Sequence, residues 1–340
     1  MLAAQVKVVD EKRVAALHKE AFVIDGSIVI ELVAEHFGRA KRGGVTAVNH
    51  TVTDPYGDLA SALKEMNEFR SWVKANSKDA LLALTTDDIR EAKRSGREAI
   101  ILGPQNTEMM GAELSLLGTF HDLGVRVLQL TYQRQNWIGT GCGEKVDGGL
   151  STYGRRFVQE MNELGIVVDV SHCGEQTGAD AAAVSKKPVI FSHAHPKKLS
   201  PHIRAKSDDN IRAIASTGGV VGITGLSPYL YYPDKPTTQP TIERYVEQIT
   251  YVAELVGVDH ASVGLDFDET FTPQKREEGA KLHGALLGQW PWEQRRCKDL
   301  FEAGDMMSIT RALVAAGYSD GDVKKVLGGN LMRVFEATWK

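Results

Sequence analysis

Short apolar runs rich in Val and Ile alternate along the chain with longer stretches of helical period, the pattern of repeated β-α units built on a parallel sheet. Seven such runs stand out, at 22–30, 99–103, 125–131, 166–170, 188–191, 219–224 and 262–265, and 301–307 is a weaker eighth. Helical patterns fall between them, at 58–75, 113–123, 153–164, 208–216 and 242–256. No Gly-x-Gly-x-x-Gly turn follows the first run, so a closed (β/α)8 barrel of the TIM type is predicted over an open doubly wound sheet. The expected organisation is one domain over 1–340: an N-terminal helix in 1–20, a barrel over 21–307, and helices over 308–340 that cover its outside or one end. The irregular piece 268–294, with Trp290 and Trp292, follows a strand end and is expected at the C-terminal rim, where loops and lids are built.

Composition narrows the function classes. Lys plus Arg number 40 against 44 Asp plus Glu, a net charge of −4. Such a balance gives no basic field for nucleic acid or anionic lipid. No apolar run approaches the roughly 18 residues that span a bilayer, and the first twenty residues lack a signal-peptide core. Cys142, Cys173 and Cys297 are too few and too scattered for a disulfide framework, so a cytoplasmic protein acting on a small molecule is expected, with self-association left open.

In a parallel barrel, side chains just beyond the strand ends converge on one mouth. Two consecutive strands end in Ser-His: VVDVSH places His172 there, and PVIFSH places His193. Imidazole is the commonest side-chain metal ligand, and two from adjacent strand ends can share one ion. GLDFD adds Asp266 on the seventh run, a carboxylate able to take a proton from metal-bound water. The alternative for any single His is a hydrogen-bonded structural role.

These residues sit in a colinear series: LGVRVLQLT (123–131), GLSTYGR (149–155), MNELGIVVDVSH (161–172), PVIFSH (188–193), HIRAKSDD (202–209), GLDFD (264–268) and LGGNLMRVF (327–335). The series resembles the renal or membrane dipeptidase family of metallopeptidases, a branch of the amidohydrolase superfamily. The resemblance implies that His172 and His193 hold the more exposed zinc, that Asp266 is the acid/base, and that Arg204 contacts a substrate carboxylate. Arg suits that contact because its planar fork matches both carboxylate oxygens. Without the family, Arg204 reads as a surface partner of Asp208 or Asp209.

The chain departs from the family pattern at three strand ends. Where the family has Asp-Gly-His-Asn-Asp, this chain has Asp25, Gly26, Ser27, Ile28 and Val29; the bridging Glu is replaced by Gln105, and the third-strand His by Tyr132. Two dications would then face too few anions, so one zinc per chain is expected at most. Gln105 becomes a substrate-contacting amide, and Tyr132 a donor to the oxyanion. Replacement ligands are sought in the glycine-rich loop 136–149, where Cys142 and Glu144 would complete a four-ligand zinc site with His172 and His193. The alternative makes Cys142 a small filler and Glu144 a solvated charge. His50 reads as locally hydrogen-bonded, His195 as a rim residue, and Cys173 as packing. Two functions follow: a metal-dependent hydrolase cleaving an amide bond in a dipeptide or other small carboxylated amide, or a barrel that has lost hydrolysis and binds a small metabolite or partner.

Overall fold

The computed structural model describes residues 9–269 and 290–340. Of the expected rim segment, 270–289 therefore lies outside the described residues. Among the described residues ten strands form, all paired in parallel: β1 (Ile24–Val29), β2 (Ala47–His50), β3 (Ala80–Leu82), β4 (Glu98–Leu102), β5 (Val127–Gln129), β6 (Val167–Asp169), β7 (Val189–Ala194), β8 (Val221–Ile223), β9 (Ala261–Val263) and β10 (Phe267–Asp268). One sheet runs β10-β1-β2-β4-β3 and the other β5-β6-β7-β8-β9. A parallel bridge between Leu102 and Val125 joins the sheets at one seam. At the other, β9 continues within four residues into β10, which pairs with β1. These links close an eight-membered ring, with β9 and β10 as one broken member and β3 outside it beside β4.

The ring differs from the sequence expectation at two strands. Its eighth member is β2, a four-residue strand that carries Asn49 and His50 yet is buried throughout. Residues 301–307 form no strand. Asp305 Oδ2 accepts the backbone N–H groups of Phe301 and Glu302, which caps a 3-10 turn (Ala303–Asp305) leading into the helix Met306–Ala315. The other helices follow their local signals. Thr85 and Asp88 form a capping box on Thr86–Ser95, and Thr152–Leu164 runs from a Ser151 cap to the left-handed Gly165.

The C-terminal helix settles which end is open. Leu331, Val334 and Phe335 of Asn330–Thr338 pack with Ile24, Ala47, Ala99, Val127 and Val167, all near strand starts. That end is plugged with apolar side chains, which leaves the strand C-termini as the mouth. Just beneath the mouth the barrel is tight: a Cβ added at Gly222 or Gly264 would stand 2.1 or 1.8 Å from the Ser192 carbonyl oxygen, so only glycine fits there. No helix among the described residues is long and apolar enough to cross a membrane.

Candidate active site

The strand ends bring His172, His193, Asp266, Arg204 and Tyr132 to one place. The His172 and His193 rings lie 5.0 Å apart, edge to face. His193 Nε2 stands 3.6 Å from Asp266 Oδ1, and Arg204 Nη1 is 3.9 Å from Asp266 Oδ2. Tyr132 stacks on His172 at 3.9 Å. Asp266, Arg204 and Tyr132, with Gln105, Tyr229 and His50, line a cavity of about 470 Å³ that opens at the mouth.

Backbone geometry supports this convergence. Asp266 has φ of +60°, a left-handed conformation costly for a residue with a Cβ, and its N–H donates to Ser27 O across the seam. Arg204 is only 2% exposed, so the surface pairing with Asp208 or Asp209 is overturned. Its Nη2 donates to the His193 carbonyl, while Asp208 accepts from Tyr251 and Asp209 pairs with Arg212.

Burial sets the protonation states. It raises the Asp266 carboxyl to about 7, with the Arg204 charge opposing the rise. Burial, then the charges of Arg204 and Lys206, keep His193 neutral well below its usual range. The Tyr132 phenol, desolvated and near Asp266, keeps its proton far above the usual value.

A hydrogen-bonded group that sequence reasoning passed over lies beneath the histidines. Asp169 Oδ1 accepts from Ser171 Oγ at 2.6 Å, and Asp169 Oδ2 accepts from Ser192 Oγ at 2.5 Å. Ser192 Oγ is in turn 2.8 Å from His193 Nδ1. The repeated Ser-His ending was its visible signal: both serines bond the same buried carboxylate. His193 Nε2, on the far side of the ring, is buried and has no hydrogen-bond partner among the described residues.

The β1 and β4 ends look different. Gln105 Nε2 donates to Ser27 Oγ at 3.1 Å and to Thr51 Oγ1 at 2.8 Å, an uncharged group where the family pattern puts metal-binding carboxylates. His50 is hydrogen-bonded as expected for a structural residue, but not locally: its Nδ1 accepts from Ile30 N, twenty residues away, its ring packs 4.0 Å from Phe69, and burial pushes its pKa down to about 3. His195 is buried and stacked on Tyr229, and Cys173 packs in the interior, where its sulfur accepts from Thr131 Oγ1.

The loop 136–149 does not deliver the four-ligand set in this structure. Glu144 is exposed, and its Oε1 accepts the Gln135 N–H at 2.9 Å within its own loop. Cys142 is half-buried, held by its N–H on the His172 carbonyl, with its thiol in electrostatic reach of Arg204 and Lys206. Asp147 pins the loop by accepting from Gly149 N and Gln176 N. Among the described residues, no group of three or more His, Cys, Asp or Glu side chains is placed to hold a metal. The bare Nε2 of His193, beside the His172 ring, is a donor of the kind that fits a divalent ion.

A family model for membrane dipeptidases, peptidase family M19, matches residues 12–340. The chain belongs to the membrane dipeptidase family. A dipeptidase of Claviceps purpurea is 31% identical over 255 residues, covering 74% of this chain and 54% of the relative, and one of Clonostachys rogersoniana is 28% identical over 296 residues, covering 86% and 69%. The chain thus spans about half the length of the first of these. Among solved structures, an amidohydrolase from Pseudomonas aeruginosa superposes with a TM-score of 0.88 at 34% identity, covering 96% of this chain and 99% of that one. Membrane in the family's name describes the family, whose barrel this chain shares.

Proposed function

We propose that this chain hydrolyses an amide bond in a dipeptide or other small carboxylated amide, with one divalent ion, zinc by donor type, held by His172 and His193. The observation that carries the reading is the convergence of His172, His193, Asp266 and Arg204 at one mouth, on a chain of the membrane dipeptidase family. The bound ion supplies Lewis acidity and lowers the pKa of water toward neutrality.

The remaining work falls to this chain's side chains. Asp266, with a carboxyl poised near 7, takes the proton of the attacking water and returns it to the leaving amine. Arg204, stripped of solvent, holds a substrate carboxylate with its fork and keeps the scissile bond oriented. Tyr132 keeps its phenolic proton and donates it toward the developing oxyanion. Gln105 commits its amide N–H groups to Ser27 and Thr51, which leaves Oε1 to accept from a substrate N–H. Residues 1–340 are read as one domain serving this site, in keeping with a family match over 12–340, and the free thiols of Cys142, Cys173 and Cys297 support a cytoplasmic setting.

The test is turnover of a panel of dipeptides and N-acyl amino acids by protein given one equivalent of zinc, with metal content measured in parallel. Hydrolysis at one zinc per chain is expected. Ligand binding without turnover by protein that retains no metal would instead support the binding barrel.

A further inference from the structure

Asp169, Ser171 and Ser192 take no part in the chemistry above, yet all three are buried and bonded to one another directly under His193. Four donors point at the Asp169 carboxylate: the N–H and O–H groups of Ser171, and the N–H and O–H groups of Ser192. Burial pushes the Asp169 carboxyl up, but these four hydrogen bonds oppose the rise and favour the ionised form; the two N–H groups can only donate, and an ionised carboxylate can only accept. The Ser171 hydroxyl proton is therefore committed to Oδ1 and the Ser192 hydroxyl proton to Oδ2. Ser192 Oγ then has only lone pairs to offer His193 Nδ1 at 2.8 Å, so Nδ1 carries the proton of the neutral imidazole. The lone pair is left on Nε2, the nitrogen that faces Asp266 and the mouth. Ser171 Oγ also accepts the His193 N–H at 3.1 Å, which ties the ends of β6 and β7 together.

We propose that Asp169, acting through Ser192, is a positioning residue that locks His193 in the Nδ1–H tautomer and presents a bare Nε2 at the mouth. The inference rests on the reading of His193 as a ligand, but the tautomer can be read without metal or substrate. Outer-shell partners of this kind fix ring orientation and basicity in metal sites generally. The arrangement also explains why both strand ends carry Ser before His: each hydroxyl fills one oxygen of the same carboxylate.

The experiment is ¹H–¹⁵N correlation of full-length, metal-free protein labelled at its histidine ring nitrogens, with His193 assigned by the signal missing from His193→Ala. Nδ1 protonated and Nε2 bare is the expected result. Asp169→Asn should flip the tautomer, because the new amide must donate to Ser192 Oγ and so turns the serine hydroxyl toward Nδ1, as a comparable change misassigns the histidine tautomer in serine proteases. Ser192→Ala, which keeps the backbone and removes the link, should abolish the preference and weaken zinc binding by about 10- to 100-fold in calorimetric titration. A proton on Nε2 in the unaltered protein would overturn the proposal, as would an unchanged tautomer and zinc affinity in folded Ser192→Ala. If the tautomer is as expected but no peptide is cleaved, the relay stands and the hydrolytic reading fails.

Discussion

The two halves of the mouth handle charge in opposite ways. At the ends of β6, β7 and β9, the buried Asp169, His193 and Arg204 and the partly buried Asp266 are charged or titratable groups, each with a hydrogen bond or a close opposite partner. At the ends of β1, β2 and β4, the facing groups are Ser27, Thr51 and Gln105, joined by neutral hydrogen bonds. A neutral amide can replace a carboxylate only where no second cation must be balanced, since a buried dication without anions is too costly. Charge on that side lies in Asp54, Glu65 and Glu68, which line the cavity away from Gln105's hydrogen bonds, and in the layer behind the strands, where His36 bridges Glu98 at 2.8 Å and Glu269 at 2.6 Å, with Arg39 on Glu269. One half keeps the apparatus for proton transfer, while in the other the side chains that stand where the family pattern puts metal ligands, Ser27 and Gln105, are neutral.

Removing a group from each half should give the largest contrast. Asp266→Asn is expected to lower kcat/KM by about 10²- to 10⁴-fold, the usual scale for a general acid–base group. Gln105→Ala, with only a neutral contact to lose, should cost less than about tenfold. Steady-state kinetics on the best substrate of the panel measures both. Similar losses in the two variants would erase the distinction between the halves.

Putting charge back at these neutral positions should be the next largest effect. Gln105 is 6% exposed, so Gln105→Glu places a carboxylate among hydroxyls with no cation, and metal-free stability should fall by about 1–3 kcal/mol. With Ser27→His and Val29→Asp added, zinc should reverse the loss and the metal content should rise from one to two per chain. Denaturant melts with and without zinc, beside metal analysis, decide the matter. Two ions bound by the unaltered chain would refute the charge argument.

How much of this was legible in the sequence differs between the same two halves. His172, His193 and Asp266 could be read because each closes an apolar Val- and Ile-rich strand, so a polar residue there is conspicuous. The strand β2 was hidden for the opposite reason: it is four residues long, and its last two, Asn49 and His50, are polar although buried. Asn49 Nδ2 donates to Gly26 O, a partner distant in sequence that no local pattern announces. The run 301–307 misled because it is apolar enough for a strand, while one carboxylate, Asp305, folds it into a helix start. The loop glycines likewise read as freedom to fold inward. Gly141 instead allows close approach, since a Cβ there would stand 2.4 Å from the Tyr132 carbonyl oxygen. The Asp169 relay was half visible, as two serines without the carboxylate they share.

The charged layer behind the strands carries its own pH signature. Burial alone would depress His36, but Glu98 and Glu269 outweigh it and raise the imidazole from 6.5 to about 10. A raised folded value means that its stabilisation is complete below about 6.5 and is lost as pH climbs through about 10. Glu269 has the opposite sign: its lowered value gives stability that is present above 4.5 and lost as pH falls. Urea melts across this range should show stability falling by a few kcal/mol on the alkaline side, and His36→Gln should flatten that limb. A limb unchanged in the variant would mean that other groups titrate there.

The smallest effects are expected in the loop 136–149, which belongs to neither half. Glu144→Gln keeps an oxygen to accept the Gln135 N–H and removes only an exposed charge, so stability should stay within about 0.5 kcal/mol. Cys142 is held by its backbone on the His172 carbonyl, a bond that Cys142→Ser leaves in place. Since Asp147 ties the loop to the helix Glu175–Val184 through the Gln176 N–H, bringing Glu144 to the histidines would require those bonds to break. Zinc affinity in Cys142→Ser and Glu144→Gln should therefore change less than about twofold, while His193→Ala, which removes a ligand outright, should abolish binding. Titration calorimetry on the three variants makes the comparison. A tenfold or larger fall in both loop variants would show that zinc pulls the loop inward and that the site takes its remaining ligands from Cys142 and Glu144 after all.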